Sequence, residues 1–123
     1  MTITNKQLLE IEGALAYVSK EQTEAWYQVG RNIQRIKPFL ERFGETRKEI
    51  IERLAEKDKD GNPKVEGNNI SFGENAEEFI EKFTELMEES IEVDFYVFPF
   101  DKFGSAKLDA IKVQPLMDII VEE

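Results

Sequence analysis

Alternating spacings of three and four residues connect a long row of apolar positions in the middle of the chain. The row keeps one phase throughout, and its one polar member is Arg47. Its members are Trp26, Val29, Ile33, Ile36, Leu40, Phe43, Arg47, Ile50 and Leu54. This heptad seam predicts one continuous helix over about residues 21–57. Pro38 and Gly44 lie inside it without shifting the phase, so we expect a helix that bends and does not break.

Two shorter helical patterns lie on either side of the seam. Thr4 and Gln7 have the spacing of a capping box, and the apolar residues that follow predict a first helix to about Ser19. Asn75 is a typical N-cap residue for a third helix. The apolar stripe of that helix consists of Ala76, Phe79, Ile80, Phe83, Leu86 and Met87. Because this stripe lies close to the seam in sequence, we expect the two helices to pack as an antiparallel hairpin.

The remaining segments have the composition of turns and strands. Residues 58–63 are rich in turn formers and end the long helix, and residues 64–72 predict a short β-hairpin or an extended loop. Alternating apolar positions predict a strand over residues 91–98, and a second short strand is expected over residues 108–113. A short helix is expected over residues 115–121, with proline in its first position.

These patterns together predict a single domain over residues 1–123, since a chain of this length has room for one modest core. The predicted fold class is α+β and mostly α. Its main element is a long antiparallel helical hairpin. A short N-terminal helix and a small C-terminal β-element accompany the hairpin.

The residue types present exclude several kinds of active site. The chain has neither histidine nor cysteine, which excludes Ser-His-Asp and Cys-His pairs and zinc sites of the usual type. An EF-hand loop with Gly61 at position six would need a glutamate at the position of Gly67, so the acidic turn predicts no calcium site. We predict a protein that is not an enzyme and has no catalytic residue, cofactor or metal. A carboxylate enzyme with a divalent metal stays as an alternative.

The charge of the chain is strongly negative and unevenly distributed. The net charge is −10, and nine acidic residues lie between Glu74 and Asp94, whereas basic residues predominate from Lys20 to Lys48. This argues against direct binding to nucleic acid or to an anionic membrane, because phosphate binding needs clustered cations. We expect the basic flank of the long helix to lie near the acidic third helix. Arg47 either pairs with that helix or fixes the register of a helical assembly.

Two groups of residues are candidates for binding a protein partner. The acidic group consists of Glu81, Glu85, Glu88 and Glu92. It forms either a solvated face or an imitation of the phosphate ladder of DNA. The aromatic group consists of Phe95, Tyr96, Phe98, Phe100 and Phe103. These residues are either exposed anchors for a partner or large side chains that close the core.

Several segments, taken in order, also resemble a known family. They are residues 19–36, 49–54, 56–63 and 91–94, followed by Leu108 and residues 115–120. Together they resemble a family of small tailed-bacteriophage proteins that carry a domain of unknown function. Members have a short helix, a long helix with an Asp-x-x-Gly-x-Pro turn, a shorter helix and an acidic strand, and here Asp58, Gly61 and Pro63 supply the turn. The resemblance covers most of the chain and implies no activity.

The residues and this resemblance together predict a phage-encoded, non-enzymatic protein-interaction module. One role is an accessory or assembly factor of the phage particle, which binds a phage structural protein. The alternative is an acidic, DNA-mimic inhibitor of a host or defence protein that binds nucleic acid. The seam is covered either within one chain or by a second copy of the chain, in which case the protein is a homo-oligomer. Without a bilayer-spanning apolar run or a secretion signal, the expected location is the host cytoplasm, or the virion.

Overall fold

The computed structural model describes residues 1–21, 23–104 and 106–121, which form a mostly helical fold with small β-elements. The helices are α1 (Asn5–Lys20), α2 (Trp26–Leu54), α3 (Ala76–Glu88) and α4 (Ala110–Val113). The strands are β1 (Thr2–Thr4), β2 (Val65–Glu66), β3 (Asn69–Ile70), β4 (Ser90–Glu92), β5 (Phe98–Pro99) and β6 (Ile120–Val121). Short 3₁₀ helices occur at Gly73–Asn75, Phe100–Phe103 and Gln114–Leu116. The predicted class, α+β and mostly α, is confirmed.

These elements gather into two compact units. The first unit consists of Met1–Leu40 and Ser90–Glu123, and the second unit consists of Glu41–Glu89. Helix α2 contributes its N-terminal part to the first unit and its C-terminal part to the second unit. That residues 1–123 behave as a single domain stays a prediction.

Helix α1 begins with the capping box that its sequence predicts. The N–H group of Gln7 donates to the hydroxyl of Thr4 at 3.2 Å, and the N–H group of Thr4 donates to Oε1 of Gln7 at 2.9 Å. The two bonds satisfy N–H groups that lack partners within the helix. The inward face of α1 is buried at Leu8, Ile11, Leu15 and Val18. The predicted first helix is therefore confirmed, and it extends to Lys20.

The core of the first unit is built by α1, the N-terminal part of α2 and the C-terminal segments. Its most deeply buried side chains are Leu8, Leu15, Val18, Val29, Ile36, Val93, Phe98, Leu116 and Ile119. Strand β1 pairs antiparallel with β4, and β5 pairs in parallel with β6. Each pair joins segments that lie far apart in the sequence, so the C-terminal segments are held to this core.

Helix α2 is continuous through Pro38 and Gly44, as the unshifted seam predicts. It is shorter at both ends than the predicted range of 21–57. Before the helix, the N–H group of Ala25 donates to the hydroxyl of the buried Thr23 at 3.1 Å, so these residues form a turn. Pro38 is exposed, and its ring therefore displaces no core side chain.

One of the two rows of the seam is buried except at Ile50, and the other row is partly open, with Leu54 buried at its C-terminal end. Val29, Ile36 and Phe43 are buried, whereas Trp26 is 71% exposed and Ile33 is 40% exposed. Alternate positions of a heptad form separate rows along a helix, so a neighbour on one side covers one row more completely than the other. The seam is therefore not fully covered along α2.

The second unit begins with the turn that the sequence predicts after α2. Oδ1 of Asp58 accepts hydrogen bonds from the N–H groups of Asp60 at 2.9 Å and Asn62 at 3.0 Å. Gly61 adopts a positive φ of 80°, which glycine reaches without steric cost. Strands β2 and β3 follow as an antiparallel pair, so the predicted β-hairpin is also confirmed.

Helix α3 is tied to the end of α2 by a side chain. Asn75 makes no capping bond to α3, and its side chain donates instead to the carbonyl of Leu54 at 3.0 Å. Asn75 is therefore the N-cap residue of α3, as predicted, but it does not cap the helix through its side chain. The rings of Phe43 in α2 and Phe83 in α3 lie 6.5 Å apart, so the two helices meet in this unit. The long antiparallel hairpin as a whole stays a prediction.

The charged side chains of α2 and α3 form ion pairs within each helix. Lys48 lies 4.0 Å from Glu52, and Lys82 lies 3.8 Å from Glu85. Arg47 is exposed, and among the described side chains of α3 no carboxylate pairs with it. The expectation that Arg47 reaches the acidic helix is therefore wrong. Exposed pairs of this kind contribute little to stability, because water screens them.

The strand predicted over residues 91–98 ends at Glu92, and Phe98 belongs to the separate strand β5. The backbone between these two strands bonds to side chains of α2 and not to another strand. Arg35 donates to the carbonyl of Asp94 at 2.9 Å, and Asn32 bonds both to the N–H group and to the carbonyl of Tyr96. The alternating polarity of this segment therefore reflects burial of one side of the chain, although the segment forms no β-ladder.

The last two predicted elements are also corrected. The strand predicted over residues 108–113 is wrong, because this segment contains α4. Oδ1 of Asp109 caps that helix by accepting from the N–H group of Ile111 at 2.9 Å. The helix predicted over residues 115–121 is reduced to the 3₁₀ helix Gln114–Leu116, and β6 follows it.

Candidate functional site

The acidic candidates lie on two different elements. Glu81, Glu85 and Glu88 are exposed on α3 in the second unit, whereas Glu92 is on β4 in the first unit. Glu85 is engaged by Lys82 of the same helix. The structure therefore supports treating the three residues of α3 as one site and Glu92 separately.

Helix α3 carries an apolar stripe that its own unit leaves partly uncovered. The stripe consists of Ala76, Ile80, Phe83 and Met87, whose spacings of four, three and four place them along one line of the helix. Ile80 is 63% exposed. Beside the stripe runs an exposed acidic row, which consists of Glu77, Glu81 and Glu88. We call the stripe and the row together the α3 edge.

Stacked aromatic rings support α3 from the inside of the second unit. Phe72 and Phe79 stack with ring centres 3.9 Å apart, and Phe79 and Phe83 stack at 5.6 Å. These rings are half-buried, and Leu86 is the buried residue of the helix. Aromatic contacts of this kind have preferred geometries, so they orient α3 with its edge toward solvent.

A cleft of about 450 Å³ lies between α3 and α2. Thr46 and Ile50 of α2 line one wall, and the other wall is lined by Lys82, Glu85, Leu86 and Glu88 of α3. The rim holds the Lys82–Glu85 ion pair, so both signs of charge are present there. The acidic row of the α3 edge contains no basic residue. Glu77 and Glu81 belong to the α3 edge alone, and Glu88 borders both surfaces.

The aromatic candidates separate into core residues and a surface residue. Phe98 is 1% exposed and Phe103 is 5% exposed, and their rings meet edge to face at 5.6 Å. Phe95 is half-buried against the same core. Phe100 is 62% exposed and lies edge-on to Phe103 at 6.0 Å. The interpretation that these residues close the core is confirmed for Phe98 and Phe103, whereas Phe100 is a surface residue.

The ring of Tyr96 is engaged by two arginine side chains of α2. The guanidinium carbons of Arg31 and Arg35 lie 5.1 Å and 5.0 Å from the ring centre. Arg31 also donates to the hydroxyl of Tyr96 at 3.4 Å. This hydrogen bond and the neighbouring positive charges hold the pKa of Tyr96 below its ordinary value of 10.0. Tyr96 therefore has cation–π and hydrogen-bond partners within the first unit.

Glu92 is likewise engaged within the first unit. Its carboxylate accepts hydrogen bonds from the hydroxyl of Thr2 and, at 2.9 Å, from the amino group of Met1. The bond from Thr2, followed by the amino group, holds the pKa of Glu92 below its ordinary value of 4.5. Thr2 and Glu92 are also register partners in the β1–β4 pair. Glu92 therefore supports the pairing of these strands.

Replacing Thr2 with valine is expected to raise the pKa of Glu92 toward 4.5, because the hydroxyl that stabilises the carboxylate is lost. A carboxylate whose pKa is lowered by folding stabilises the fold above its unfolded pKa, and this contribution is lost as the pH falls through the folded pKa. The stability of Thr2→Val should therefore decline less than that of the wild type as the pH is lowered through this window. Carboxyl NMR titration measures the pKa directly. An unchanged value would contradict the assigned hydrogen bond.

The α3 edge has to be interpreted from its own chemistry. Within the described ranges, no group of three or more acidic side chains is arranged to hold a metal ion. None of the helices described here is long and apolar enough to cross a membrane. Comparisons with known protein families, curated proteins and solved structures found no match to this chain.

Two features of the structure are missed by the sequence patterns. The patterns assign Ile80 to the inside of the hairpin, although the stripe of α3 is wider than one neighbouring helix covers. The width of the apolar stripe is therefore the sequence feature that predicts an exposed edge on α3. Asn32 is 0% exposed and bonds to the backbone of Tyr96, which is distant in sequence. No local pattern reveals such a contact.

Proposed function

We propose that this protein is a non-enzymatic protein-interaction module that binds its partner through the α3 edge. The observation that carries the proposal is the 63% exposure of Ile80 within a stripe that an acidic row borders. Full burial of a side chain of this type is worth about 1.5–3 kcal/mol. A partner that covers Ile80 and its neighbours therefore gains affinity without reorganising the second unit.

The chemistry of the α3 edge favours a basic amphipathic segment as the partner. Apolar side chains of such a segment would cover Ala76, Ile80 and Met87, and lysine or arginine side chains would face Glu77 and Glu81. Amphipathic helices bind in this manner, with anchors spaced by three or four residues. The charges accelerate and orient the encounter, while apolar burial contributes most of the affinity.

The proposal includes the setting in which the module acts. The C-terminal part of α2 and α3 form the arms of the helical hairpin, and the α3 edge is its outward surface. The resemblance to tailed-bacteriophage proteins supports a role as an accessory or assembly factor of the phage particle. The partner is then a phage structural protein, met in the host cytoplasm or in the virion.

A DNA-mimic inhibitor of a host or defence protein is the second candidate. The exposed acidic row of Glu77, Glu81 and Glu88 supports it, because these charges have no basic residue among them. Binding by charge alone weakens steeply as salt is added, since exposed charges are screened. A complex that persists at about 0.5 M salt favours the assembly role, whereas one that dissociates favours mimicry.

Affinity capture from phage-infected cells, with a titration of the captured partner, tests the α3 edge. The variant Ile80→Gln should weaken binding by about tenfold to a hundredfold, because an exposed apolar anchor is lost while the helix is retained. The variant Glu77→Gln/Glu81→Gln/Glu88→Gln should slow association and reduce its dependence on salt. The matched control is Glu41→Gln/Glu45→Gln/Glu49→Gln, which removes three exposed charges from α2 in the same unit.

The outcomes separate the candidates. Wild-type affinity in both α3 variants would show that the α3 edge is not the binding surface. Loss of binding in the glutamine triple variant alone, with Ile80→Gln unaffected, would support the DNA-mimic role. An equal loss in the α2 control would mean that overall charge, and not the α3 edge, governs binding.

A further inference from the structure

The first unit carries another exposed face, on the outer side of α1. Gly13 and Ala16, one turn apart, are exposed and form its floor. A Cβ atom added to Gly13 would meet no atom within 4 Å. Ile33 of α2 is 40% exposed, and Ile111 of α4 is 80% exposed. We call these four residues the α1 face.

Grooves run along both sides of this floor. One groove, of about 350 Å³, lies between α1 and α2 beside Ile33. The other, of about 490 Å³, lies between α1 and α4 beside Ile111. Gly13 and Ala16 line both grooves. The face therefore combines a floor of small residues with exposed apolar walls.

We infer that the α1 face binds a second copy of this chain, with the two α1 helices antiparallel. The distance between packed helices is set by the side chains at their contact, so Gly13 and Ala16 allow a close approach. A two-fold axis brings the same surface to both sides of a contact. The exposed Ile33 and Ile111 of each copy are then covered by the other copy.

The charges on α1 favour this arrangement over a parallel one. Glu10 lies before the small residues and Lys20 lies after them, and both line the same groove. In the antiparallel pair, Gly13 of one copy lies opposite Ala16 of the other copy. In this register Lys20 of one copy lies opposite Leu9 of the other copy, and it is therefore adjacent to Glu10 of that other copy. The two-fold axis makes this attractive pair twice. A parallel arrangement would place like charges together.

The net charge of −10 on each copy opposes association at long range. At physiological ionic strength, exposed charges farther apart than about 8 Å are largely screened. The groups at the contact therefore decide the outcome, and the two grooves hold both signs of charge, Glu10 and Glu12 against Lys20 and Lys112.

Analytical ultracentrifugation of the full chain over a range of concentrations tests the inference. We expect the mass to approach twice the 14.3 kDa of one chain. The variant Gly13→Gln should weaken the dimer at least about tenfold, because a long side chain fills the floor. It should retain the fold, since glutamine favours a helix more than glycine does. The matched control is Gly44→Gln on α2, where an added Cβ also meets no atom within 4 Å, and it should leave the dimer intact.

A charge exchange tests the antiparallel geometry. Lys20→Glu should weaken the dimer, and Glu10→Lys/Lys20→Glu should restore it, because the attractive pair is re-formed with the signs reversed. A wild-type chain that stays monomeric up to about 1 mM would overturn the inference, as would a dimer that Gly13→Gln leaves unchanged. Failure of the exchange to restore the dimer would overturn the antiparallel arrangement. These variants lie on α1 and those for partner binding on α3, so the two proposals fail independently.

Discussion

The variant Phe98→Ala is expected to lower the free energy of unfolding by about 3–5 kcal/mol. Phe98 is 1% exposed, and its ring contacts that of Phe103, so the substitution removes apolar contacts and leaves a cavity. Phe98 also belongs to β5, whose pairing with β6 limits how far the backbone can collapse into that cavity. Urea denaturation followed by far-UV circular dichroism measures the change as a shift in the midpoint.

The matched control for this variant is Phe100→Ala. Phe100 is 62% exposed, so its removal should cost less than about 1 kcal/mol. The two phenylalanines are two positions apart and differ in burial, so the pair isolates the contribution of the core. Equal losses of stability in the two variants would contradict the assignment of Phe98 to the core and Phe100 to the surface.

The variant Asn32→Ala is expected to lower the free energy of unfolding by about 2–4 kcal/mol. Asn32 is 0% exposed and lies on α2. Its side-chain amide donates to the carbonyl of Tyr96 at 3.0 Å, and its Oδ1 accepts from the N–H group of Tyr96 at 2.6 Å. Alanine leaves both backbone groups without these partners, and each unsatisfied group costs about 1–3 kcal/mol when buried.

Two further variants separate the contribution of the Asn32 amide to stability from the contributions of neighbouring groups. Tyr96→Phe keeps the backbone bonds to Asn32 and loses the hydroxyl contact with Arg31, so its effect should be small by comparison. Asn32→Asp keeps an acceptor for the N–H group of Tyr96 and loses the donor, so its fold should be weakened as well. If Asn32→Ala unfolded with the wild-type midpoint, the two bonds would make no net contribution to stability.

Local patterns in the sequence predict the first three helices of this protein well. The capping box of Thr4 and Gln7, the unbroken α2 and the turn at Gly61 all follow from interactions between residues a few positions apart. Such interactions form within one segment of chain, so the residue types and their spacing are sufficient to specify them.

The C-terminal part of the chain is predicted less well for the same physical reason. Residues after Glu92 alternate in polarity, but Asn32 and Arg35 of α2 bond to their backbone, so no ladder forms. Asp109 caps α4 where a strand is predicted. In both segments a side chain forms hydrogen bonds with backbone groups that a β-ladder would otherwise use. Alternating polarity in the sequence does not reveal whether such a side chain is present.

The candidate site likewise combines features that the local sequence determines with features that the tertiary structure determines. The amphipathic character of α3 and the acidity of Glu77, Glu81 and Glu88 can be read from the sequence. Which apolar residues of that helix remain exposed depends on where its neighbours stop. Ile80 is left open because α2 and the stacked rings lie against other parts of α3.

The sequence by itself therefore determined the helical periods, the long continuous α2, the turn after it and the absence of histidine and cysteine chemistry. Tertiary structure decided which row of the seam is buried, which aromatic side chains enter the core and which edge of α3 meets solvent. The reason is that periodicity specifies the faces of a helix, whereas burial depends on the neighbours that cover those faces. Phe98 and Phe100 have the same side chain and lie two positions apart, and the surrounding fold makes one a core residue and the other a surface residue.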